Sequence, residues 1–322
     1  ATDAAGNTGT SSAVTYTLDD SADDAGDTFA VSFATSDDVT NASEASHVSL
    51  TLAGVDADAA SVSVSIDDPS PAPAIVRSAT KVGDAWVVSD VDLTSLSEGT
   101  ITVTATVTDA AGNTATATDT LTLDTVANEV PSVTIDAVSS DTDDADTSDF
   151  VTNQSSVTVT GTLSASLAAG QTVEYSVDGG ANWTTLAESG ISGTSLSFAG
   201  IDATTAPSIQ VRVVDAAGNA GSTVVQALSY DGTAPSVSIT STAGAITTSN
   251  AGSVTISGTA EAGASIQLAL AGTDISGATA TADANGHWSV ATVDVSAFGA
   301  LTATATDAAG NTGTSSAVTY TL

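Results

Sequence analysis

The sequence runs to 322 residues and sets 38 acidic side chains against three basic ones, for a formal net charge of −35. That balance excludes nucleic acid and anionic membranes as partners, because both are held through basic patches. Cysteine is absent, which removes disulfides and thiolate metal sites, and no apolar run is long enough to span a bilayer.

Taken in order, residues 1–18 (ATDAAGNTGTSSAVTYTL) are identical to residues 305–322. The repeat predicts a chain cut from an array with a unit of 304 residues, its first 18 residues being the last hairpin of a preceding repeat, with a strand over 12–18. An acidic linker follows at 19–27. Alternating runs then predict strands over 28–34, 48–52, 61–66, 75–78, 85–88, 100–108 and 115–123, with a proline loop at 67–73. After a linker at 124–131 come strands over 132–138, 156–163, 172–177, 183–186, 195–198, 208–214 and 223–229. Trp183 follows the turn Asp178-Gly-Gly180 and is the expected core anchor there. A linker at 231–235 opens the last set, over 236–241, 253–259, 265–271, 279–282, 287–292, 301–306 and 315–322, with Asn285-Gly286 as a two-residue hairpin turn. No helical pattern exceeds one or two turns.

The pentapeptide Asp-Ala-Ala-Gly-Asn punctuates all of this, at 3–7, 109–113, 215–219 and 307–311. Its copies lie 106, 106 and 92 residues apart, the size of a small all-β domain. Alternating residues on both sides make each copy a hairpin tip, with Gly at the φ > 0 position and Asp free to accept backbone amides. Seven short strands per set predict an all-β chain of tandem immunoglobulin-like sandwiches in an elongated array. The boundaries are a hairpin fragment at 1–18 and domains at 19–123, 124–230 and 231–322.

Several stretches together resemble the bacterial immunoglobulin-like repeats of giant RTX-type adhesins. They are the linker Asp231-Gly-Thr-Ala-Pro235, the strand Val254-Thr-Ile-Ser-Gly-Thr259, the turn Asn285-Gly-His-Trp-Ser289 and the pentapeptide itself. The last domain matches best and the second well, through 175–183 (YSVDGGANW). The first departs most, lacking the Thr-Ala-Pro step in its linker. The resemblance implies an extracellular extender on a bacterial cell surface. Such an extender spaces a binding module from the cell, is exported by a type I system and holds Ca²⁺ between domains.

Sandwich topology places the acids independently. The pentapeptide joins the last two strands at the top of its domain, facing the linker that arrives from the domain before, and lower loops of that earlier domain face the same linker. Asp37, Asp38, Asp92, Asp124 and Asp215 should therefore meet at one junction, and Asp149, Asn153, Asp202, Asp231 and Asp307 at the next. Asp19, Asp20 and Asp109 remain at the leading one. Clustered carboxylates are the hard oxygen ligands that Ca²⁺ takes in sets of six to eight. The competing reading is that each tip Asp only caps its own turn. The loop 141–149 (DTDDADTSD) fails the EF-hand pattern, with no Gly at the sixth position and no closing Glu.

Catalysis has little to work with: His47 and His287 stand in different domains and no Ser or Thr has a recognisable base partner. The expectation is a non-enzymatic extender stiffened by junction Ca²⁺, its partners the neighbouring repeats of its own chain. The alternatives are a carbohydrate-binding surface module, for which Trp86, Trp183 and Trp288 are the candidate platforms, or a subunit of a self-associating fibre or layer.

Overall fold

The computed structural model describes residues 1–22, 28–35, 37–70, 73–83, 85–127, 130–139, 149–242, 246–297 and 299–319. Most of the acidic loop 141–149 and part of the linker 19–27 lie outside the described residues. The chain divides into two compact units, one of residues 1–126 with 217–219 and one of 127–216 with 220–322.

In the first unit the strands are β1 (Ala30–Phe33), β2 (Val39–Thr40), β3 (Val48–Ala53), β4 (Ala59–Asp67), β5 (Ile75–Ser78), β6 (Thr80–Val82), β7 (Ala85–Val91), β8 (Gly99–Asp109) and β9 (Thr114–Leu123). They form two sheets, ordered β1-β3-β7-β6 and β2-β9-β8-β4-β5. Alternation dictates the packing. On β8, Ile101, Val103, Ala105 and Val107 are buried while the Thr residues between them face outward. The β8–β9 ladder runs without a register break from Gly99↔Leu123 to Thr108↔Thr114. Phe29, Val31, Leu50 and Leu52 from the facing sheet close the core.

The leading segment keeps its hairpin tip, bridged at Thr2↔Thr8, but the strand expected over 12–18 does not form. Val14, Tyr16 and Leu18 stay exposed. The identical residues near 312–319 do form strands, because there a neighbouring strand offers its edge.

The second unit holds two further sandwiches. The first comprises β10 (Val133–Val138), β11 (Val151–Thr152), β12 (Ser156–Leu163), β13 (Thr172–Ser176), β14 (Thr184–Thr185), a 3₁₀ turn at Glu188–Gly190, β15 (Ile191–Ser192), β16 (Ser195–Asp202), β17 (Ser208–Val214), β18 (Val224–Ala227) and β19 (Ser229–Tyr230). Its sheets are β10-β12-β16-β15 and β14-β13-β17-β18, with β11 parallel to β19. The next comprises β20 (Val237–Thr242), β21 (Val254–Ala260), β22 (Ser265–Leu270), β23 (Thr273–Thr281), β24 (His287–Val293), β25 (Ala300–Thr306), β26 (Thr312–Thr314) and β27 (Val318–Thr319). Here β20-β21-β24 faces β23-β22-β25-β26, and β27 also pairs with β25.

Each sandwich has its own buried cluster, and the tryptophans take three different places. Trp288 is buried in the last core. Trp86 is half-buried at a sheet margin with the Lys81 ammonium 5.6 Å above its ring. Trp183 is not a core anchor: it lies half-buried under the Arg212 guanidinium, 3.9 Å from its centroid. The Tyr175–Phe198 edge-on pair packs in that core instead. Trp183 precedes β14, a two-residue edge strand whose own side chains are exposed, so the ring covers surface rather than filling the middle.

Two short pairings fix where the linkers leave. β2 runs parallel to β9, and β11 parallel to β19. Neither two-residue strand carries enough alternation to be read from sequence.

Candidate metal centre

Three of the pentapeptide tips are built alike. Between β8 and β9, Asp109 Oδ1 accepts the amides of Gly112 (2.6 Å) and Asn113 (2.8 Å), and Oδ2 accepts the Asn113 side-chain amide at 2.7 Å. Between β25 and β26, Asp307 takes the amide and side-chain nitrogen of Asn311 at 2.8 and 2.9 Å. Asp3 holds Asn7 in the same way, both at 2.9 Å. The fourth residue is Gly each time, with φ between +79° and +97°, where a Cβ would be strained. The tip Asp therefore caps its own turn. Each of its oxygens still has lone-pair capacity beyond those bonds.

As the strand order requires, the tip lies beside the linker that precedes its sandwich. Asn113 Nδ2 donates to the Asp19 carbonyl at 3.2 Å and lies 3.4 Å from Asp19 Oδ1. One oxygen each from Asp19, Asp58 and Asp109 then lies within 4.8 Å of the others. Among the described residues, no other set of three acidic or imidazole side chains gathers so closely. Asp58 comes from the loop between β3 and β4, and Asp20 stands exposed next in the chain. Burial pushes the Asp109 carboxyl upward, but bonds from the Asn113 side chain and the amides of Asn113, Gly112 and Ala111 outweigh it and hold the group below its ordinary value.

Asp109 therefore presents ionised oxygens to the cluster. Two ligands across one Ca²⁺, each at about 2.3–2.6 Å, stand at most about 5 Å apart, so this spread fits a single ion's sphere. The chain's three basic residues are engaged elsewhere. Lys81 lies over Trp86, Arg212 binds Glu174, and Arg77 donates to the Val76 carbonyl.

The other predicted ligands occupy separate loops. Asp37 and Asp149 each accept the amide two residues on, at 3.3 and 2.9 Å. Asp92 and Asp202 take the hydroxyl and amide of Thr94 and Thr204, which hold both carboxyls below the ordinary value. Asn153 Oδ1 accepts the Gln154 side chain, and the Asp38 carbonyl accepts the Thr122 amide. Asp231 Oδ1 accepts the Thr233 amide, and Asp215 opens the tip that ends in Asn219.

The linker aspartates are held mainly by their peptide groups. In the second unit the Asp231 N–H donates to the Thr152 carbonyl (3.0 Å), and its carbonyl accepts Asn311 Nδ2 (2.8 Å). In the first unit the Asp124 N–H donates to the Thr40 carbonyl (3.0 Å), and its carbonyl accepts Asn219 Nδ2 (2.9 Å). Thr40 and Thr152 are fully buried.

Sequence reasoning missed Asp58 and the closing Asn residues. The rule that puts the tip at the top of its domain also puts the loop before β4 there, so Asp58 could have been placed by the same argument.

Residues 22–125 match the family described as bacterial Ig-like domain, and residues 241–321 match the family described as bacterial Ig domain. Both segments are similar to bacterial immunoglobulin-like domains. No curated protein sequence matches the chain. Among solved structures, a chain from work on host cell surface retention of a 1.5-MDa bacterial ice-binding adhesin is 27% identical over 91% of this chain and 96% of that one, with a TM-score of 0.33. A tetra-tandem repeat from the extending region of a large adhesion protein is 25% identical over 91% of this chain and 74% of that one, with a TM-score of 0.28. Both matched Ig-like segments contain the pentapeptide, at 109–113 and 307–311. No helix among the described residues is long and apolar enough to cross a membrane.

Proposed function

We propose that the chain is a run of extender repeats from a secreted bacterial surface adhesin. The repeats space a terminal binding module from the cell, and Ca²⁺ bound where linker and tip acids meet stiffens them. The observation that carries this reading is the approach of Asp19, Asp58 and Asp109 in a chain of net charge −35. Like charges held this close favour a cation, and three carboxylates from a linker, a loop and a tip would be cross-linked by it. The match to bacterial Ig-like domains and the recurrence of the tip support the structural, non-enzymatic side of the reading. Extracellular modules bind Ca²⁺ at ~10⁻⁴–10⁻³ M. Sites of that affinity are empty in the cytosol and filled outside, which suits export by a type I route in a pliable state and stiffening on arrival.

The test is calorimetric titration of the chelator-stripped chain with Ca²⁺ and separately with Mg²⁺, repeated for Asp58→Asn. The parent should bind Ca²⁺ selectively, and the variant should lose one ion's worth of heat while its thermal unfolding stays close to the parent's. No Ca²⁺ uptake at concentrations of about 10⁻³ M, or an unchanged isotherm in the variant, would sink the proposal for this cluster.

A further inference from the structure

The asparagine that closes each tip does more than finish a turn. Its side-chain nitrogen has two protons and its oxygen accepts. At Asn311 one proton goes to the tip, Asp307 Oδ2 at 2.9 Å, and the other to the linker, the Asp231 carbonyl at 2.8 Å. At Asn113 the same pair of bonds reaches Asp109 Oδ2 at 2.7 Å and the Asp19 carbonyl at 3.2 Å. Asn219 donates to the Asp124 carbonyl at 2.9 Å, and its Oδ1 accepts the Ala42 amide, also at 2.9 Å. Because Nδ2 faces only acceptors, the network itself fixes which way each amide points. The leading copy supplies an internal comparison. Asn7 makes the tip bond to Asp3 at 2.9 Å and is exposed, whereas Asn113 and Asn311 are half-buried.

We infer that Asn113, Asn219 and Asn311 are positioning residues: they latch the peptide of the preceding linker aspartate to the tip through a joint that needs no cation. The Asp231 peptide is gripped from both sides, its N–H by the Thr152 carbonyl and its C=O by Asn311, and the Asp124 peptide is gripped likewise by Thr40 and Asn219. The Asp124 carboxylate also takes part, its Oδ1 accepting Asn219 Nδ2 at 3.3 Å, whereas the Asp231 carboxylate accepts the Thr233 amide. An Asp in place of the Asn would present only acceptors to a carbonyl and a carboxylate, so the pair of bonds selects the amide. The relevance to a stalk rests on the function proposed above, whereas the latch itself does not. A cation at the linker and tip acids would then meet oxygens already brought together, rather than having to gather them.

The experiment is hydrogen exchange on the full chain in EDTA, comparing the parent with Asn311→Ala, Asn311→Asp and Asp231→Ala. In the parent the Asp231 and Thr233 amides should be protected without metal. Asn311→Ala and Asn311→Asp should speed their exchange at least tenfold, while emission from the buried Trp288 reports an intact core. Asp231→Ala keeps the carbonyl and should leave the Asp231 amide slow. The inference falls if the parent linker is unprotected in EDTA. It also falls if Asn311→Ala speeds exchange only within 307–312, which is what a residue that merely caps its own hairpin would do. A failure of Ca²⁺ to bind, with the EDTA result intact, would count against the proposed function and not against the latch.

Discussion

Gly258 separates close packing from turn geometry as the reason for a glycine. It lies in mid-strand on β21, opposite Trp288 and beside β20. A Cβ built there would stand 1.9 Å from the Ser238 carbonyl oxygen and 2.4 Å from the Trp288 ring. The first contact is main chain, so relief requires moving β20 away from β21 or tilting the indole out of the core. Overpacking of this kind costs about 1–3 kcal/mol, and a main-chain obstacle puts Gly258→Ala toward the upper end. For a domain of this size each kcal/mol shifts the melting temperature by about 4–8 °C, giving an expected drop of roughly 10–20 °C. Gly252 supplies the control, since a Cβ there meets nothing within 4 Å. Gly252→Ala should be neutral or slightly stabilising, because it restricts the unfolded chain at no packing cost. Differential scanning calorimetry of the full chain, with tryptophan emission alongside, resolves the two. If Gly258→Ala melted with the parent, the close approach of β20 would not be what requires glycine at this position.

Two further outcomes can be checked on the same material. Bonds from the Asn182 side chain and amide, then from Ser176, hold the Asp178 carboxyl down at about 2 against an ordinary 3.8. A depressed folded value means its contribution is full above the ordinary one and fades as pH falls through about 2. The stability gap between the parent and Asp178→Ala should therefore close across that window, and a gap of constant size there would refute the assignment. Arg212 reaches Glu174 Oε2 with two nitrogens, at 2.9 and 2.7 Å, and covers Trp183. Arg212→Gln should cost about 1–3 kcal/mol in urea unfolding and shift Trp183 emission to the red, and no change in either would show the stack to be idle.

The sandwiches were legible because their strands alternate strictly and turn residues break the alternation. β8 and β9 show it clearly, with Thr on one face and Ile, Val, Ala or Leu on the other, broken within β9 only by Asp119, which accepts the Phe33 amide. What alternation cannot carry is a two-residue strand. β2 and β11 are invisible to any periodicity, yet their carbonyls receive the linker amides. Nor can alternation tell a core tryptophan from one that lies beneath an arginine, since Trp183 and Trp288 both follow tight turns. The residue packed on the ring decides it: Arg212 stands over one and Gly258 leaves room beneath the other. The glycine of Ser257-Gly-Thr259 was readable as part of a motif but not as a reason, and Gly161 was not singled out at all. The reason is the carbonyl of the first strand, 2.6 Å from a Cβ at Gly161 and 1.9 Å at Gly258.

The candidate site was half legible, for a related cause. Charge is visible in a sequence, so counting acids along a sandwich topology leads to the linker and tip aspartates. Backbone carbonyls carry no letter of their own, yet the structure grips Asp124 and Asp231 through the N–H and C=O of the main chain, with the Asp124 carboxylate adding a longer bond to Asn219. The one visible trace of that arrangement is the Asn at the end of the pentapeptide, a residue easily credited to the turn alone. Its cross-linking bond to the linker carbonyl is made by a side chain that also closes the turn, as Asn311 shows. The two layers can be separated because they use different atoms of the same residue. Removing the Asp231 side chain takes away a prospective cation ligand and spares the carbonyl, and removing the Asn311 side chain does the reverse. Coupling that survives the first change and is lost with the second therefore belongs to the main chain, whatever the acids go on to bind.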